Sequence, residues 1–270
     1  MSLESIGIFD SGLGGLTAVK ELSNILPCEN IIYFGDTGRV PYGNRSKETI
    51  IKYAKQDASF LLSKNVKFII AACGTVSSVA SDLGNCFGVP FAGVVNPTAL
   101  SAVKATKNKK IGVIGTTATI KSNSYKREIF RLDETIDVLV QDCPLFVPLV
   151  ENGLVSPDDF VVTEIAYRYL KTFIEQEVDT VILGCTHYPI LKDVIKKVMG
   201  ENVTLINSGR ETALYTANEL EKLNLLNKSN QVGTSTFYVS DRTEGFAKLA
   251  SMFLHKEISQ NVERIDINKY

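Results

Sequence analysis

The sequence is poor in several features that commonly identify a function. Its 270 residues include no tryptophan, two histidines and five cysteines, and no two cysteines have the spacing CxxC. Zinc sites are built from Cys and His at short characteristic spacings, so we expect no metal site. The odd number of cysteines in a chain of this size also argues against a disulfide framework. It indicates reduced thiols in a cytosolic protein.

Neither sign of charge is in excess, and long apolar runs are missing. The chain has 29 Lys and Arg against 30 Asp and Glu, so its net charge gives no indication of nucleic-acid binding, and a local basic patch stays an open alternative. Its apolar runs, such as residues 68–73, are far shorter than the roughly 20 residues that span a bilayer. The first residues contain Glu4 and no Lys or Arg, so we expect no secretory signal.

What the sequence does contain is a regular alternation of two kinds of segment. Runs rich in β-branched residues, apolar on both faces, alternate with longer amphipathic stretches, which indicates parallel sheets covered by helices on each side. Strands are predicted at 5–9, 30–34, 68–72, 91–95, 110–114, 137–140, 180–183, 204–206 and 236–239, and helices at 17–25, 46–64, 158–176 and 190–199.

The chain also repeats weakly on itself. Residues 6–9 recur at 111–114, residues 66–75 at 178–187 and residues 98–100 at 212–214, with offsets of 105, 112 and 114. These offsets predict two related α/β units, although βα turns in general look alike and remain an alternative explanation. Pro97 biases Asn96 away from helix and Gly209 marks a turn, so the chain should cross between the units there. We predict a first domain of residues 1–95 plus 210–270 and a second of residues 96–209.

The repeat places Cys73 and Cys185 at equivalent points, each directly after an apolar strand. In parallel sheets the carboxyl ends of the strands form the ligand crevice. A thiol at a helix N-terminus faces the positive end of the helix dipole, which is expected to lower its pKa. One such cysteine is usually structural, but two at matching positions predict a pair of reactive thiols. Cys28, Cys86 and Cys143 have no counterpart and are interpreted as packing residues.

Residues 10–15 (DSGLGG), after the first strand, admit two functional interpretations and a structural one. Their glycines, followed by Asp36 at the end of the next strand, could belong to a dinucleotide site. Against this, Thr17 occupies the third glycine position and the Asp10 carboxylate would lie where a pyrophosphate binds. Alternatively, Asp10 assists a proton transfer in the crevice. In the structural interpretation the glycines form a tight turn and Asp10 caps the next helix.

Two more segments follow predicted strands. Residues 39–44 (RVPYGN) contain a proline and a glycine that fix the path of a loop, so Tyr42 and the Gly43 amide could line the mouth of the crevice. The same pattern is also that of an ordinary turn. His187 lies two residues after Cys185, and imidazole titrates near neutrality, which suits a proton shuttle. A lone histidine is otherwise often structural.

Taken together, these segments resemble the glutamate racemases. The motifs that carry the resemblance are IFDSGLGGL at 8–16, FGD at 34–36, PYG at 41–43, GVV at 93–95 before a proline, CPLFVP at 143–148 and GCTHYP at 184–189. They run in the family's order without a large insertion, and the first and last together are highly specific. The resemblance implies two pseudo-symmetric parallel-sheet α/β domains that face each other across an active-site cleft and contribute one cysteine each.

The resemblance further implies interconversion of L- and D-glutamate without a cofactor, which supplies D-glutamate for peptidoglycan. Without an electron sink, racemisation needs a base on each face of Cα, and Cys73 and Cys185 would be these bases. Asp10 would assist Cys73, and His187 would assist Cys185. The residues implied to bind substrate are Asp10, Ser11, Tyr42, Gly43, Gly74, Thr75, Thr186 and His187. A lysine Schiff base would require pyridoxal phosphate, for which the residues give no argument.

The chain departs from the family pattern at one position of the first cysteine motif. The family usually has CNTAS there, whereas residues 73–77 are CGTVS. Gly74 therefore replaces an asparagine side chain that would contact substrate. We expect the Gly74 backbone N–H to make a contact with the substrate instead.

Two alternatives stay open. The chain could act on aspartate, or on another substrate of a two-cysteine racemase, although His187 and the PYG motif favour glutamate. It could also bind DNA gyrase, as some glutamate racemases do, although its near-neutral charge argues against this. The expected protein is a cytoplasmic homodimer that acts on glutamate, uses no cofactor or metal, and binds neither nucleic acid nor membrane.

Overall fold

A computed structural model describes residues 3–254 and 262–270, and His255 lies outside the described residues. In chain order the elements are β1 Ile6–Asp10, α1 Leu16–Ile25, β2 Ile31–Gly35, α2 Lys47–Leu62, β3 Phe68–Ala71, α3 Gly74–Val79, β4 Phe91–Gly93, α4 Val95–Ala105, β5 Lys110–Gly115, α5 Thr117–Lys121, α6 Ser124–Leu132, β6 Asp137–Asp142, α7 Phe146–Glu151, α8 Phe160–Glu175, β7 Thr180–Leu183, α9 Lys192–Met199, β8 Thr204–Asn207, α10 Ser208–Lys222, β9 Ser235–Val239, α11 Thr243–Leu254 and β10 Val262–Arg264. Short 3-10 helices cover Tyr42–Asn44, Ser81–Cys86, Tyr188–Leu191 and Ile267–Lys269.

The strands form two parallel sheets, which confirms the predicted fold class. The first sheet has the order β10-β9-β2-β1-β3-β4 and the second the order β6-β5-β7-β8. Four strands of the first sheet, β2-β1-β3-β4, thus match the whole of the second in order. The strands that carry the repeated segments are equivalent, β1 with β5 and β3 with β7. The duplication read from the sequence is therefore present in the topology.

Burial explains why the central strands are apolar without alternation. Every residue of β1, β3 and β7 is buried, as expected where helices cover both faces of a parallel sheet. The last part of the chain returns to the first sheet, where β9 pairs with β2. A buried ion pair anchors this return: Lys67 Nζ lies 2.6 Å from Glu29 Oε2, and Glu29 Oε1 accepts a hydrogen bond from the Asn227 N–H at 2.7 Å.

Both predicted crossings between the units differ from expectation in their local structure. The strand predicted at 91–95 ends at Gly93, and α4 begins at Val95 with Pro97 in its first turn. Proline is tolerated there because first-turn N–H groups have no partner within the helix. Gly209 does not mark a turn but lies inside α10, whose N-cap Asn207 accepts hydrogen bonds from Gly209 and Arg210. The domain limits themselves stay predictions.

The predicted helices are present, but their ends differ from the predicted positions by one or two residues. Ser46 and Asp159 cap α2 and α8 with their side chains instead of belonging to them. The helix predicted at 190–199 is divided into the 3-10 helix Tyr188–Leu191 and α9. Within the described residues, none of the helices combines the length and the apolar character needed to cross a membrane.

Candidate active site

A cavity of about 310 Å³ opens between the two sheets, next to the carboxyl ends of their strands. It is lined by loops from both halves of the repeat. All the site residues predicted from the sequence contribute to its lining: Asp10, Ser11, Tyr42, Gly43, Cys73, Gly74, Thr75, Cys185, Thr186 and His187. Cys73 and Cys185 are both free thiols and both buried. The structure therefore brings the two cysteines of the repeat to one cavity.

Cys73 directly follows β3 and is the N-cap residue of α3. Its thiol hydrogen-bonds the Ser11 hydroxyl, with Sγ and Oγ 3.6 Å apart. Burial, together with the negative charge of Asp10, raises the pKa of Cys73 to about 12. The expectation that the helix dipole lowers this pKa is wrong. The helix α3 has six residues, and the desolvation of the thiolate outweighs the backbone N–H groups that favour it.

Asp10 is the last residue of β1 and is buried beside Cys73. Its Oδ2 accepts a hydrogen bond from the Gly12 N–H at 3.1 Å, whereas its buried Oδ1 has no hydrogen-bond partner within the described residues. Burial raises the pKa of Asp10 against the opposing effect of His187. The N-cap residue of α1 is Gly15 rather than Asp10, although the Gly15 N–H at the start of this helix is among the backbone groups that favour the Asp10 carboxylate and lower its pKa. One carboxylate oxygen is thus left for a donor that enters the cavity.

Cys185 follows β7 and has an imidazole as its neighbour. Cys185 Sγ lies 4.0 Å from His187 Nδ1, and His187 Nε2 lies 3.1 Å from Glu151 Oε1. Burial acts to lower the pKa of His187, but the Cys185 thiol and the Glu151 carboxylate outweigh it and raise this pKa to about 10. The second thiol is therefore paired with a base that the structure favours in its cationic form.

Glu151 was not among the predicted site residues. It ends α7, and Val147 and Pro148 of the same helix also line the cavity. Residues three and four apart lie on one face of a helix. Counting three or four residues onward from the end of the CPLFVP motif at 143–148 would have identified Glu151 as a site residue.

Close approach between the two halves explains two of the glycines. A Cβ added at Gly14 would lie 2.1 Å from Thr186 Oγ1, and one added at Gly74 would lie 2.3 Å from the Gly184 carbonyl oxygen. The hydroxyl of Thr17 donates to the Thr186 carbonyl oxygen at 3.1 Å. The glycine-rich turn thus faces protein backbone and side chains, which speaks against the dinucleotide interpretation.

Threonine hydroxyls meet across the cleft as well. Thr75 and Thr116 share a hydrogen bond with their oxygens 3.1 Å apart. Thr116 and Thr117 line the cavity but were not among the site residues predicted from the sequence. The repeat contained the signal, because the offset of 105 residues that relates β1 to β5 carries Ser11 onto Thr116.

Tyr42 lines the cavity, but its hydroxyl is engaged elsewhere, in hydrogen bonds with the carboxylates of Asp36 and Asp57. The Asp36 carboxylate also accepts from Arg39 and Ser240, so it is not free to bind a ribose. The hydroxyl of Tyr42 therefore supports the loop that carries it.

The three remaining cysteines differ in how far they are buried. Cys143 is buried and lines the cavity, and its carbonyl oxygen accepts a hydrogen bond from the Tyr188 hydroxyl at 2.9 Å. Cys28 is partly buried, whereas Cys86 is exposed. The packing interpretation is therefore wrong for Cys86.

The comparisons with known proteins that follow all indicate racemases. Residues 31–216 match the family model of the Asp/Glu/hydantoin racemases. A glutamate racemase from Persephonella marina is 46% identical over 267 residues, which are 98% of each chain. The crystal structure of a glutamate racemase isoform from Bacillus anthracis superimposes with a TM-score of 0.93 at 37% identity, covering 98% of each chain. That of a glutamate racemase from Francisella tularensis in complex with D-glutamate gives 0.92 at 39% identity, covering all of both chains.

Proposed function

The chain belongs to the Asp/Glu/hydantoin racemase family and is an amino-acid racemase, and from this premise we propose that its substrate is glutamate. The proposal includes three further parts: the reaction needs no cofactor, Cys73 and Cys185 are the two bases, and the product D-glutamate supplies peptidoglycan synthesis. The observation that carries it is the placement of two free thiols, one from each half of the repeat, in a single cavity.

The cavity offers donors for two carboxylates and an acceptor for one ammonium group. Its described lining contains no Lys or Arg. A dicarboxylate would therefore be held by neutral donors, among which are the hydroxyls of Ser11, Thr75, Thr116 and Thr186 and the backbone N–H groups of Gly43 and Gly74. The unpartnered Asp10 Oδ1 would accept a hydrogen bond from the α-ammonium group. Such fixed donors can stabilise the charge that builds on the α-carboxylate as Cα loses its proton.

The two thiols together account for every proton that is transferred to or from Cα. A thiolate on one face of Cα takes the Cα proton, and the electron pair left behind delocalises into the α-carboxylate. The thiol on the opposite face then delivers its own proton to Cα, which inverts the centre and leaves that sulfur as the thiolate. The two cysteines have exchanged roles, so the enzyme is ready for the opposite enantiomer. His187 as an imidazolium can compensate the charge of a thiolate at Cys185.

The experiment uses purified protein freed of pyridoxal phosphate and incubated separately with D-glutamate, L-glutamate and both enantiomers of aspartate. Circular dichroism follows the loss of each enantiomer. We expect both glutamate enantiomers to converge on the racemate and aspartate to react far more slowly. Faster turnover of aspartate would contradict the substrate, and strict dependence on added pyridoxal phosphate would contradict the two-thiol mechanism.

The physiological part of the proposal has its own test. Expression of the chain in a bacterium that requires external D-glutamate for its cell wall is expected to remove that requirement, whereas a Cys73→Ser, Cys185→Ser double variant is not. The cytoplasmic location and the homodimer stay predictions, to be tested by cell fractionation and light scattering.

A further inference from the structure

A second group of ionisable side chains lies behind the cavity wall and takes no part in the mechanism above. It consists of Asp36, Arg39, Tyr42 and Asp57, here called the carboxylate cluster. The two carboxylates are 0% exposed and Tyr42 is 1% exposed. Asp57 comes from α2, whereas the other three follow β2. Burial of two carboxyl groups beside a single guanidinium group requires an explanation, because an unpaired buried charge is strongly unfavourable.

The two carboxyl groups differ in their partners. Asp36 accepts on both oxygens, from Arg39 Nε at 2.5 Å on Oδ2 and from the Ser240 hydroxyl at 2.8 Å on Oδ1. Asp57 Oδ1 accepts from Arg39 at 3.0 Å. Asp57 Oδ2 faces only the Tyr42 hydroxyl within the described residues, at 3.0 Å. That hydroxyl also hydrogen-bonds Asp36 Oδ2.

A count of protons shows what is missing. The Tyr42 hydroxyl has one proton to donate, but it contacts two carboxyl oxygens. If both carboxyl groups were ionised, one of these contacts would place two oxygens together with no proton between them, and the cluster would carry a net charge of −1. One additional proton removes both problems. Asp36 already accepts on each oxygen, so the proton belongs on Asp57 Oδ2.

We propose that Asp57 is protonated and donates to the Tyr42 oxygen, that Tyr42 donates to Asp36, and that this neutral chain makes Asp57 a positioning residue for the substrate cavity. Arg39 then compensates Asp36 alone. Every oxygen in the chain has a suitable partner. The direction of the pKa agrees, since burial, followed by the charge of Asp36, raises the pKa of Asp57 well above its ordinary value.

The consequence for the cavity follows from the loop that Tyr42 anchors. Tyr42 and Gly43 belong to the 3-10 helix Tyr42–Asn44, and both line the cavity. Gly43 faces the opposite domain, where an added Cβ would lie 3.3 Å from Thr116 Cβ. A fixed Tyr42 side chain therefore fixes the Gly43 amide, which we have assigned to a substrate carboxylate. This part of the inference rests on the proposed function, whereas the protonation of Asp57 does not.

The structure also predicts how pH acts on the cluster. A carboxyl group whose pKa is raised in the folded state stabilises the fold while it is protonated, and this contribution is lost as pH rises through the raised pKa. Ionisation of Asp57 would break its hydrogen bond to Tyr42 and place a second anion beside Asp36. The charged and titratable groups that face Asp57 are Asp36, Arg39, Tyr42, the more distant Asp10, and Tyr53 through its ring under Arg39.

The test compares Asp57→Asn with Asp57→Ala. Asparagine donates to Tyr42 and accepts from Arg39, as a protonated Asp57 does, so Asp57→Asn should keep KM and kcat within about threefold of the wild type. Asp57→Ala leaves buried groups without partners, so KM should rise about 10- to 100-fold with a smaller effect on kcat. Should Asp57→Ala not fold, Tyr42→Phe, which keeps the ring and removes the hydroxyl, reports on the same contacts through KM.

A second measurement is independent of activity. The melting temperatures of the wild type and Asp57→Asn are compared from mildly acidic to mildly alkaline pH, with exposed Asp137→Asn as the control for loss of a carboxylate. We expect the wild type and Asp137→Asn, which both keep Asp57, to lose stability relative to Asp57→Asn as pH rises. If Asp57→Asn is as impaired as Asp57→Ala, or if its stability falls with pH as the wild type's does, Asp57 is ionised and the inference is overturned.

Discussion

The two halves of the cavity present the same nucleophile in opposite electrostatic surroundings. In the first half, Cys73 lies beside the Asp10 carboxylate, and burial raises the pKa of its thiol to about 12. In the second, Cys185 lies beside His187, whose pKa is raised to about 10. The repeat thus supplied two equivalent thiols, and the residues around them diverged. The proposed two-base mechanism needs one thiol and one thiolate at a time, and in it the contrast between an acidic and a basic neighbour would favour one of the two arrangements in the resting enzyme.

The strongest test of this comparison removes each thiol in turn. Cys73→Ser and Cys185→Ser are each expected to lower kcat for racemisation by about 10³-fold or more, because a serine hydroxyl is a far poorer base and one face of Cα loses its proton carrier. Circular dichroism with glutamate measures the loss. A Cys185→Ser variant that racemises near the wild-type rate would show that the halves are not partners.

The surviving thiol in each variant should still act on one enantiomer. With a glutamate analogue that carries a leaving group on Cβ, removal of the Cα proton expels that group without any need for the second base. Each variant is therefore expected to eliminate from one enantiomer only, and the two variants from opposite enantiomers. Elimination from the same enantiomer by both would contradict the assignment of one thiol to each face.

The neighbours of the thiols come next in expected effect. Asp10→Asn and His187→Asn should each lower kcat/KM by about 10²–10⁴-fold, the range that positioned acids and bases contribute. Because the equilibrium between enantiomers is fixed, kcat/KM must fall equally in both directions. The asymmetry should appear in elimination, where Asp10→Asn impairs the enantiomer attacked by Cys73 and His187→Asn the other. Equal losses for both enantiomers in both variants would mean that the neighbours serve binding alone.

A smaller effect is expected from the contact between the halves. In Gly74→Ala the new Cβ meets the Gly184 backbone, 2.3 Å from its carbonyl oxygen. Cys185 follows Gly184 directly, so the second thiol should be displaced and kcat should fall about 10- to 100-fold. The matched control is Gly38→Ala, outside the cavity lining, whose Cβ meets a side chain, 3.2 Å from Ser240 Oγ. Comparable kcat values for both variants would show that the Gly184 contact does not set the position of Cys185.

The smallest effect is expected from Glu151→Gln, because the Glu151 side chain is 41% exposed and its ion pair with His187 is screened by solvent. A histidine with a raised pKa stabilises the fold fully below its ordinary value, and this contribution is lost as pH rises through the folded value. For His187 that window runs from 6.5 to about 10. Wild-type stability should decline across it, and Glu151→Gln should decline less. Identical pH profiles from thermal unfolding would remove Glu151 from the account of His187.

Several features of the site could be read from the sequence because they depend on local order along the chain. Cys73 and Cys185 follow apolar strands, and the carboxyl ends of parallel strands lie at one edge of a sheet. Other features depend on contacts between distant segments. The helix dipole was expected to govern the pKa of Cys73, but its burial prevails, and burial depends on the tertiary packing around the thiol. Asp57, on α2, has no motif that points to the cavity.

The sequence by itself determined the two α/β units, their equivalent thiols and the loops that meet at the cavity, because periodicity and strand-end position are properties of a chain read in order. Only the tertiary structure decided which groups surround each thiol. It set Gly74 against the Gly184 backbone, His187 against Glu151 and the Tyr42 hydroxyl against two carboxyl groups. The physical reason is that hydrogen bonding and desolvation act over a few ångströms in space, whatever the separation along the chain.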